Sequence, residues 1–215
     1  MENSAPNRAI ARVVLSMRST QASGYDEPRD SVSHDWIALL QKLGMTPILL
    51  PNSLDNPASY LDALAPDLLI LSGGDDPGQD TPRDRSEKIV LDHAVAQRLP
   101  VLGVCRGMQV INLYFGGFLD AIAGHVASSH PIRIKGAFEA LYGNESVVNS
   151  FHALTVPAEG LAPDLVAAAV DDDGNIEALH HNILPIAAVM WHPERAEAPE
   201  ADRLLFKRLI EGGKF

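Results

Sequence analysis

The 215-residue sequence has little of what marks several classes of protein. Cys105 is the only cysteine, so the chain cannot form an intramolecular disulfide. No run reaches the roughly 18 apolar residues of a membrane span, and the first ten residues lack the charged and apolar regions of a secretory signal peptide. Basic residues are outnumbered: the chain has 17 Lys and Arg and 28 Asp and Glu, which gives a net charge of −11. We therefore expect a cytoplasmic protein that binds neither nucleic acid nor an anionic membrane, because both require a basic surface.

Apolar residues make up 46% of the chain, which is enough for one well-buried domain over residues 1–215. In the first half, apolar runs alternate with segments of helical periodicity, a pattern typical of a parallel α/β sheet with right-handed crossovers. The pattern predicts strands at 10–17, 46–50, 67–72 and 101–104, and helices at 31–43, 60–64, 85–97 and 107–115. Beyond residue 118 it predicts a hairpin around 171–174 and a last helix, with strands at 131–134, 146–149, 165–170, 176–180 and 186–190 and the helix at 200–211.

The sequence around Cys105 predicts a nucleophile. The apolar run 101–104 indicates a buried strand, and helical spacing begins at Gly107, so the cysteine lies at a strand-to-helix junction. Gly103 and Gly107 flank it two residues away on each side, which is the pattern of a sharp nucleophile turn. A helix N-terminus favours the thiolate. A lone cysteine is more often a small buried side chain, but a strand residue needs no glycine on both sides.

Two further segments could complete a site around the thiol. His192 and Glu194 follow an apolar strand, where the carboxylate could orient the imidazole as a base, although a solvated loop is the plain alternative. Gly73 and Gly74 end another strand, and their N–H groups could form an oxyanion hole with that of Arg106, or simply make a turn. The following Asp pair has no further ligand at metal-binding spacing, so we expect neither metal nor cofactor.

Three separated motifs, LSGGDDP, PVLGVCRGMQVINLYFGG and VMWHPE, together resemble the class I glutamine amidotransferases, and specifically their γ-glutamyl hydrolase branch with the C26 peptidases and γ-glutamyl-γ-aminobutyrate hydrolases. VNSFH at 148–152 resembles the same branch. The resemblance implies an α/β, flavodoxin-like three-layer fold with a mostly parallel central sheet and a small antiparallel addition. It also implies that Cys105 is the nucleophile, His192 the base and Glu194 its orienting partner. Gly73 or Gly74 would supply oxyanion N–H groups together with Arg106.

The activity implied by the resemblance is hydrolysis of a γ-glutamyl amide of a small molecule through a glutamyl thioester. The same resemblance places the glutamyl group against Gln109 and the segment containing Ser150, Phe151 and His152. Ala153 and Leu154 stand where this branch often has a His-Gln pair, so the leaving-group side of the pocket should differ. Two alternatives stay open: a glutaminase subunit that passes ammonia to a separate synthase, and a binding module that kept the fold without turnover. A homodimer is also left open.

Within the branch, the run from Asn149 onward is similar to the γ-glutamyl-CDP-amidate hydrolases of capsule phosphoramidate synthesis. A diphosphate-bearing substrate would need cations, because the forked guanidinium of arginine matches phosphate oxygens. The candidates are Arg18, Arg29, Arg106 and Arg195, each of which could equally be a solvated surface residue. The histidines His93, His125 and His130 are expected to be surface or structural residues.

Overall fold

The computed structural model describes residues 10–213 and Phe215, which are arranged around a nine-stranded sheet. The first ten residues, which we expect to lack a signal peptide, fall outside the described residues except for Ile10. The strands are β1 (Arg12–Ser16), β2 (Arg18–Gln21), β3 (Pro28–Ser31), β4 (Thr46–Leu50), β5 (Leu68–Leu71), β6 (Val101–Val104), β7 (Asp120–Ala121), β8 (Val126–Ile134), β9 (Glu145–Phe151), β10 (Leu154–Thr155), β11 (Leu165–Val170), β12 (Ile176–His181) and β13 (Ile186–Val189). The helices are α1 (His34–Lys42), α2 (Pro57–Leu64), α3 (Thr81–Gln97), α4 (Arg106–Tyr114), α5 (Glu139–Tyr142) and α6 (Asp202–Ile210).

The order of strands in the main sheet is β4-β1-β5-β6-β13-β12-β11-β8-β9. The first five are parallel to their neighbours, and the remaining four extend the sheet in antiparallel fashion. Strands β5, β6 and β13 are therefore adjacent and point the same way. Their carboxyl ends lie at one edge of the sheet, which is where ligand sites of open α/β sheets form.

Both faces of the sheet are covered by helices, which gives three layers. Helices α1 and α6 pack on one face, where Trp36, Leu40 and Phe206 join a cluster with Val13 and Ile70. Helices α2, α3 and α4 pack on the other, where their apolar side chains join Val14, Leu69 and Leu71 in a second cluster. Strands β1, β5, β6 and β13 are almost completely buried because they are covered on both sides, whereas the edge strand β4 is partly exposed. In the part of the chain that the structure describes, no helix is both long and apolar enough to cross a membrane.

The predicted α/β class with a mostly parallel central sheet is the observed one, and the predicted hairpin joins β11 to β12 in antiparallel pairing. Two regions differ from the sequence-based expectation. The polar segment after β1 forms the hairpin β2–β3, whose strands are largely exposed. The region expected to hold two short strands contains the long pair β8 and β9 instead. Strand β8 reads VASSHPIRI and is buried on one face only near its end, so its apolar alternation is weak.

Candidate active site

Cys105 lies in a sharp turn between β6 and α4. Its backbone has φ +51° and ψ −107°, a conformation that non-glycine residues rarely adopt and that is found mainly at functional sites. The thiol-bearing residue is 4% exposed, and its N–H donates to the carbonyl of Val189 at 2.8 Å. Glycine is required two residues on each side, because a Cβ on Gly103 would meet the Ile111 side chain at 2.6 Å and one on Gly107 would overlap the Leu71 carbonyl. The predicted strand–turn–helix is therefore present.

His192 follows β13, the strand beside β6. Its Nδ1 bonds to Glu194 Oε1 at 2.7 Å, and both side chains are buried. The backbone of His192 is held by Asn149 of β9, whose amide oxygen accepts from its N–H at 2.9 Å and whose amide nitrogen donates to its carbonyl at 3.1 Å. Asn149 was not singled out from the sequence, although it belongs to the VNSFH motif. Through this pair of hydrogen bonds, the antiparallel half of the sheet holds the backbone of His192 in place.

The thiol and the imidazole meet over Gly73. A methyl group on Gly73 would lie 2.8 Å from His192 Cε1 and 3.7 Å from Cys105 Cβ, so all three residues share one small volume. Because Nδ1 is used by Glu194, Nε2 is the nitrogen left for the sulfur. Burial lowers the pKa of His192, but the nearby Cys105 sulfur and the hydrogen bond and negative charge of Glu194 outweigh it and raise the pKa to about 9. The arrangement therefore favours an imidazolium at neutral pH.

The Gly73–Gly74 segment is oriented by Arg83. Nη2 of Arg83 donates to the carbonyl of Ser72 at 2.8 Å and to that of Gly73 at 3.1 Å. In a trans peptide the C=O and the next N–H point in opposite directions, so this contact turns the N–H of Gly74 away from Arg83. In residues 10–213 the N–H groups of Gly74 and Arg106 have no hydrogen-bond partner. Both are free to bind an oxyanion.

Arg83 belongs to a buried ionic network behind the turn. Glu87 is 0% exposed and accepts from Arg83 Nε at 2.9 Å, while its second oxygen binds Arg106, which also contacts Asp84. The side chain of Arg106 is therefore occupied, and the sequence-based suggestion that it binds a diphosphate is wrong. Arg83 and Glu87 gave no signal in the sequence, because a helical i, i+4 ion pair is typical of an exposed surface.

Two cavities lie on either side of the triad. The cavity on the thiol side contains Cys105, Gln109, Phe151 and His152, together with Gly74, Asp75, Asp76, Gln79, Val126 and Ala153. Gln109 is also fixed to the Leu154 carbonyl at 3.0 Å. The cavity on the imidazole side contains His192 and Glu194, together with Arg18, Ser31, Val32, Ser33, Trp36, Ser72, Gly73 and Arg195. The candidate residues are thus divided between two cavities, one lined by the thiol and the other by the imidazole.

Three expected substrate-binding residues have distinct positions. The guanidinium of Arg195 lies 3.7 Å from the ring centre of Phe151, whose ring in turn meets His192 edge-on at 5.6 Å. Ser150 is buried, its hydroxyl donates to the carbonyl of His125 at 2.8 Å, and it lines neither cavity, contrary to the expectation that it binds the substrate. Arg29 is paired with Glu27 and Tyr25 on the exposed hairpin β2–β3 and also lines neither cavity.

Comparison with known proteins gives consistent matches. Residues 10–194 match the sequence profile of the peptidase C26 family. A γ-glutamyl-CDP-amidate hydrolase of Campylobacter jejuni subsp. jejuni serotype O:2 is 34% identical over 181 residues, which are 80% of this chain and 84% of that protein. The pyrimidine-specific small chain of carbamoyl phosphate synthase from Bacillus subtilis is 30% identical over 181 residues, covering 84% of this chain but only 47% of that protein.

The fold has a close counterpart among solved structures. A GMP synthase subunit from Thermoplasma acidophilum superposes with a TM-score of 0.72, covers 95% of this chain and 94% of its own, and is 23% identical. At that identity the likeness concerns the fold alone. It confirms the glutamine amidotransferase-like architecture expected from the motifs.

Proposed function

Because the chain belongs to the peptidase C26 family, we propose that this hydrolytic enzyme cleaves the γ-glutamyl amide bond of a small molecule through a glutamyl thioester on Cys105. The observation that carries the proposal is the meeting of Cys105, His192 and Glu194 beside two unpartnered backbone N–H groups of the described residues. A thiol held by an imidazole, which a carboxylate orients, is the usual arrangement for acyl transfer.

The reaction would proceed in two halves. The thiolate attacks the amide carbon, and the oxyanion that forms accepts hydrogen bonds from the N–H groups of Gly74 and Arg106. The imidazolium of His192 then gives its proton to the leaving nitrogen, the C–N bond breaks, and a thioester remains. In the second half His192 takes a proton from water, whose oxygen attacks the thioester and releases glutamate and the thiolate. The raised pKa of His192 supports its role as the proton donor of the first half.

The thiol-side cavity is the proposed site of the glutamyl group. Gln109 lies on its wall, held by the Leu154 carbonyl, and the backbone of residues 151–153 faces the same space. Asp75 and Asp76 lie at the same cavity and supply negative charge for an α-ammonium group. The group expected there is therefore an amino acid joined through its side-chain carbonyl.

The imidazole-side cavity is the proposed site of the leaving group, since His192 must protonate that group. Arg18 and Arg195 line it with two guanidinium groups. Two guanidinium groups fit an anionic leaving group better than a neutral one. The leaving group of γ-glutamyl-GABA carries a single carboxylate, and that of γ-glutamyl-CDP-amidate carries more negative charge on phosphate oxygens that match guanidinium groups. The two arginines, together with the similarity to the C. jejuni γ-glutamyl-CDP-amidate hydrolase, therefore favour a phosphoryl amidate such as γ-glutamyl-CDP-amidate.

The test is glutamate release from γ-glutamyl-CDP-amidate, γ-glutamyl-GABA and glutamine. We expect the first to be the best substrate and Cys105→Ala to abolish turnover of all three. Arg18→Ala should raise KM for the diphosphate substrate far more than for γ-glutamyl-GABA, whereas Arg203→Ala, at an exposed arginine paired with Glu200, should change neither. Equal effects on both substrates would refute the assignment of the leaving-group cavity, and activity in Cys105→Ala would refute the mechanism.

A glutaminase that supplies ammonia to a separate synthase is the second candidate, favoured by the similarity to the carbamoyl phosphate synthase small chain. It predicts that glutamine is hydrolysed rapidly only when a synthase partner is added. It also predicts that Arg18→Ala leaves glutamine hydrolysis unchanged. A protein that releases glutamate from none of the three compounds would support the binding-module alternative.

A further inference from the structure

Four potential metal ligands converge behind the wall of the thiol-side cavity. One nitrogen each of His125, His130 and His152 and one oxygen of Glu177 lie within 4.8 Å of one another. His125 precedes β8, His130 lies within it, His152 follows β9 directly, and Glu177 belongs to β12. The cluster therefore draws together strands from across the antiparallel half of the sheet.

Two of the imidazoles are oriented by backbone carbonyl groups. Nδ1 of His152 lies 3.0 Å from the Leu154 carbonyl, and Nδ1 of His130 lies 3.2 Å from the Pro131 carbonyl. A carbonyl oxygen only accepts, so each Nδ1 carries the hydrogen and each neutral ring presents its lone pair on Nε2. These Nε2 atoms face Glu177 at 3.7 and 3.8 Å. This is the orientation in which protein histidines bind metals, with the second nitrogen fixed by an outer partner.

The third imidazole faces a carboxylate on its outer side. Nε2 of His125 faces Asp171 at 3.7 Å, while its Nδ1 faces inward, 3.3 Å from His152 Nε2 and 3.9 Å from Glu177. Asp171 is itself fixed by two hydrogen bonds from Asn175. A carboxylate behind a histidine is the outer partner often found at zinc sites, because it raises the basicity of the ligand.

Glu177 lacks the hydrogen bonds that a buried carboxylate requires. Its side chain is 1% exposed, and within the described residues neither oxygen has a hydrogen-bond partner. The buried Nε2 of His130 is also unpartnered there. Burying a carboxylate without hydrogen bonds is unfavourable unless a cation compensates it. These unpartnered atoms of the cluster point toward the same centre, where a cation would satisfy them together.

We propose that His125, His130, His152 and Glu177 bind one divalent transition metal ion, with Zn²⁺ as the best fit. Zinc bonds of 2.0–2.1 Å place tetrahedral ligands roughly 3.3 Å apart. The four ligand atoms lie within 4.8 Å of one another, and the separations given above, which involve both oxygens of Glu177, are 3.3 to 3.9 Å. Three imidazoles and one carboxylate suit zinc better than Mg²⁺ or Ca²⁺, which prefer oxygen ligands. A metal was not expected from the sequence, because residues 125, 130, 152 and 177 are too widely spaced to form a recognisable metal-binding motif.

The metal would support the active site without taking part in the reaction. With four protein ligands the coordination is complete, as in structural zinc sites. His152 follows Phe151, which contacts the His192 ring, and both line the cavity of Cys105. The ion would therefore fix the segment after β9 as a rigid wall. Only this last role rests on the proposed function, since metal binding itself is independent of catalysis.

The experiment is a metal titration of the full chain. After treatment with a chelator and dialysis, Zn²⁺ is added alone and bound metal is counted by mass spectrometry of the desalted protein. We expect one ion per chain and a higher unfolding midpoint. Glu177→Gln and His130→Asn should lose stoichiometric binding, while His93→Asn, at a histidine that pairs with Asp62 on another part of the molecule, should retain it.

A second measurement uses Co²⁺ alone, whose visible absorption reports geometry and ligands. Intense tetrahedral bands without a thiolate charge-transfer band, in both the wild type and Cys105→Ala, support the proposed ligands. A thiolate band, or no stoichiometric binding of either ion by the wild type, would overturn the proposal. So would equal binding by Glu177→Gln, His130→Asn and the wild type. Failure to hydrolyse γ-glutamyl compounds would count against the proposed function only.

Discussion

Glu194→Gln should move the alkaline limb of the pH profile to lower pH. In the proposed mechanism His192 must be protonated to give its proton to the leaving nitrogen, so kcat/KM falls as pH rises through the pKa of His192. Burial lowers that pKa, but the nearby Cys105 sulfur and the hydrogen bond and charge of Glu194 overcome this effect and raise it to about 9. Removing the negative charge of Glu194 takes away part of this stabilisation of the imidazolium, so the pKa falls.

The size of the shift follows from the geometry. Nδ1 of His192 and Oε1 of Glu194 are 2.7 Å apart and both side chains are buried. Charges centred about 4 Å apart attract by about 4 kcal/mol at an effective dielectric constant of 20, or about 3 pKa units. Glutamine keeps an oxygen that accepts from Nδ1, so a shift of about 1–3 units is expected. The limb should therefore move from near pH 9 to between about 6 and 8.

The assay is kcat/KM for the best γ-glutamyl substrate between neutral and strongly alkaline pH. Glu197→Gln is the matched control, because Glu197 is a carboxylate three residues farther along that lies outside the triad. Its profile should coincide with that of the wild type. An alkaline limb that stays in place in Glu194→Gln, with activity retained, would refute the ion pair as the origin of the raised pKa. A limb that moves upward would refute the sign of the argument.

Three further changes test the surrounding structure. Gly73→Ala adds a methyl group 2.8 Å from His192 Cε1 and should lower kcat/KM about 10²-fold by displacing the ring, with an unchanged unfolding midpoint. Glu87→Gln removes the carboxylate shared by two buried arginines, of which only Arg106 keeps a second partner in Asp84, and should cost about 3–5 kcal/mol in urea unfolding, whereas Lys88→Gln at an exposed pair should cost under about 1. Burial raises the pKa of Asp202 to about 7, so this group lowers the stability as pH rises from about 4 to 7; Asp202→Asn should remove that contribution, which is measured as the difference between the pH-dependent denaturation of the variant and that of the wild type.

Local sequence signals were sufficient for the parallel half of the fold. Continuous apolar runs such as 101–104 identify strands covered on both faces, and the glycines at 103 and 107 identify a turn packed too closely for side chains at those positions. The predicted helices and strands of this half lie within a few residues of the observed ones. The positions of Cys105 and His192 at one edge follow from the parallel order of the strands.

Long-range pairing of polar residues could not be predicted in this way. Arg83 and Glu87 are one helical turn apart, which by itself indicates only a surface ion pair. Their burial beside the Gly73 segment allows Arg83 to hold the Gly73 carbonyl, and this burial could not be predicted from the sequence. Asn149 reaches His192 across 43 positions of the chain. No periodic or motif signal marked His125 and His130. The proposed metal ligands lie on separate strands of the antiparallel half, and the pairing of those strands could not be predicted from the sequence.

The division of the sheet into a parallel and an antiparallel half bears on how such an enzyme could acquire new substrates. The thiol and the imidazole come from neighbouring parallel strands, joined by the bond from the Cys105 N–H to the Val189 carbonyl. Arg18 belongs to the exposed hairpin β2–β3, which forms its own small sheet. Insertions or exchanges in that hairpin can alter what fits beside the imidazole while the reacting pair keeps its backbone frame. Selectivity can therefore diverge faster than chemistry, and laboratory evolution for a different leaving group should begin with residues 18–31.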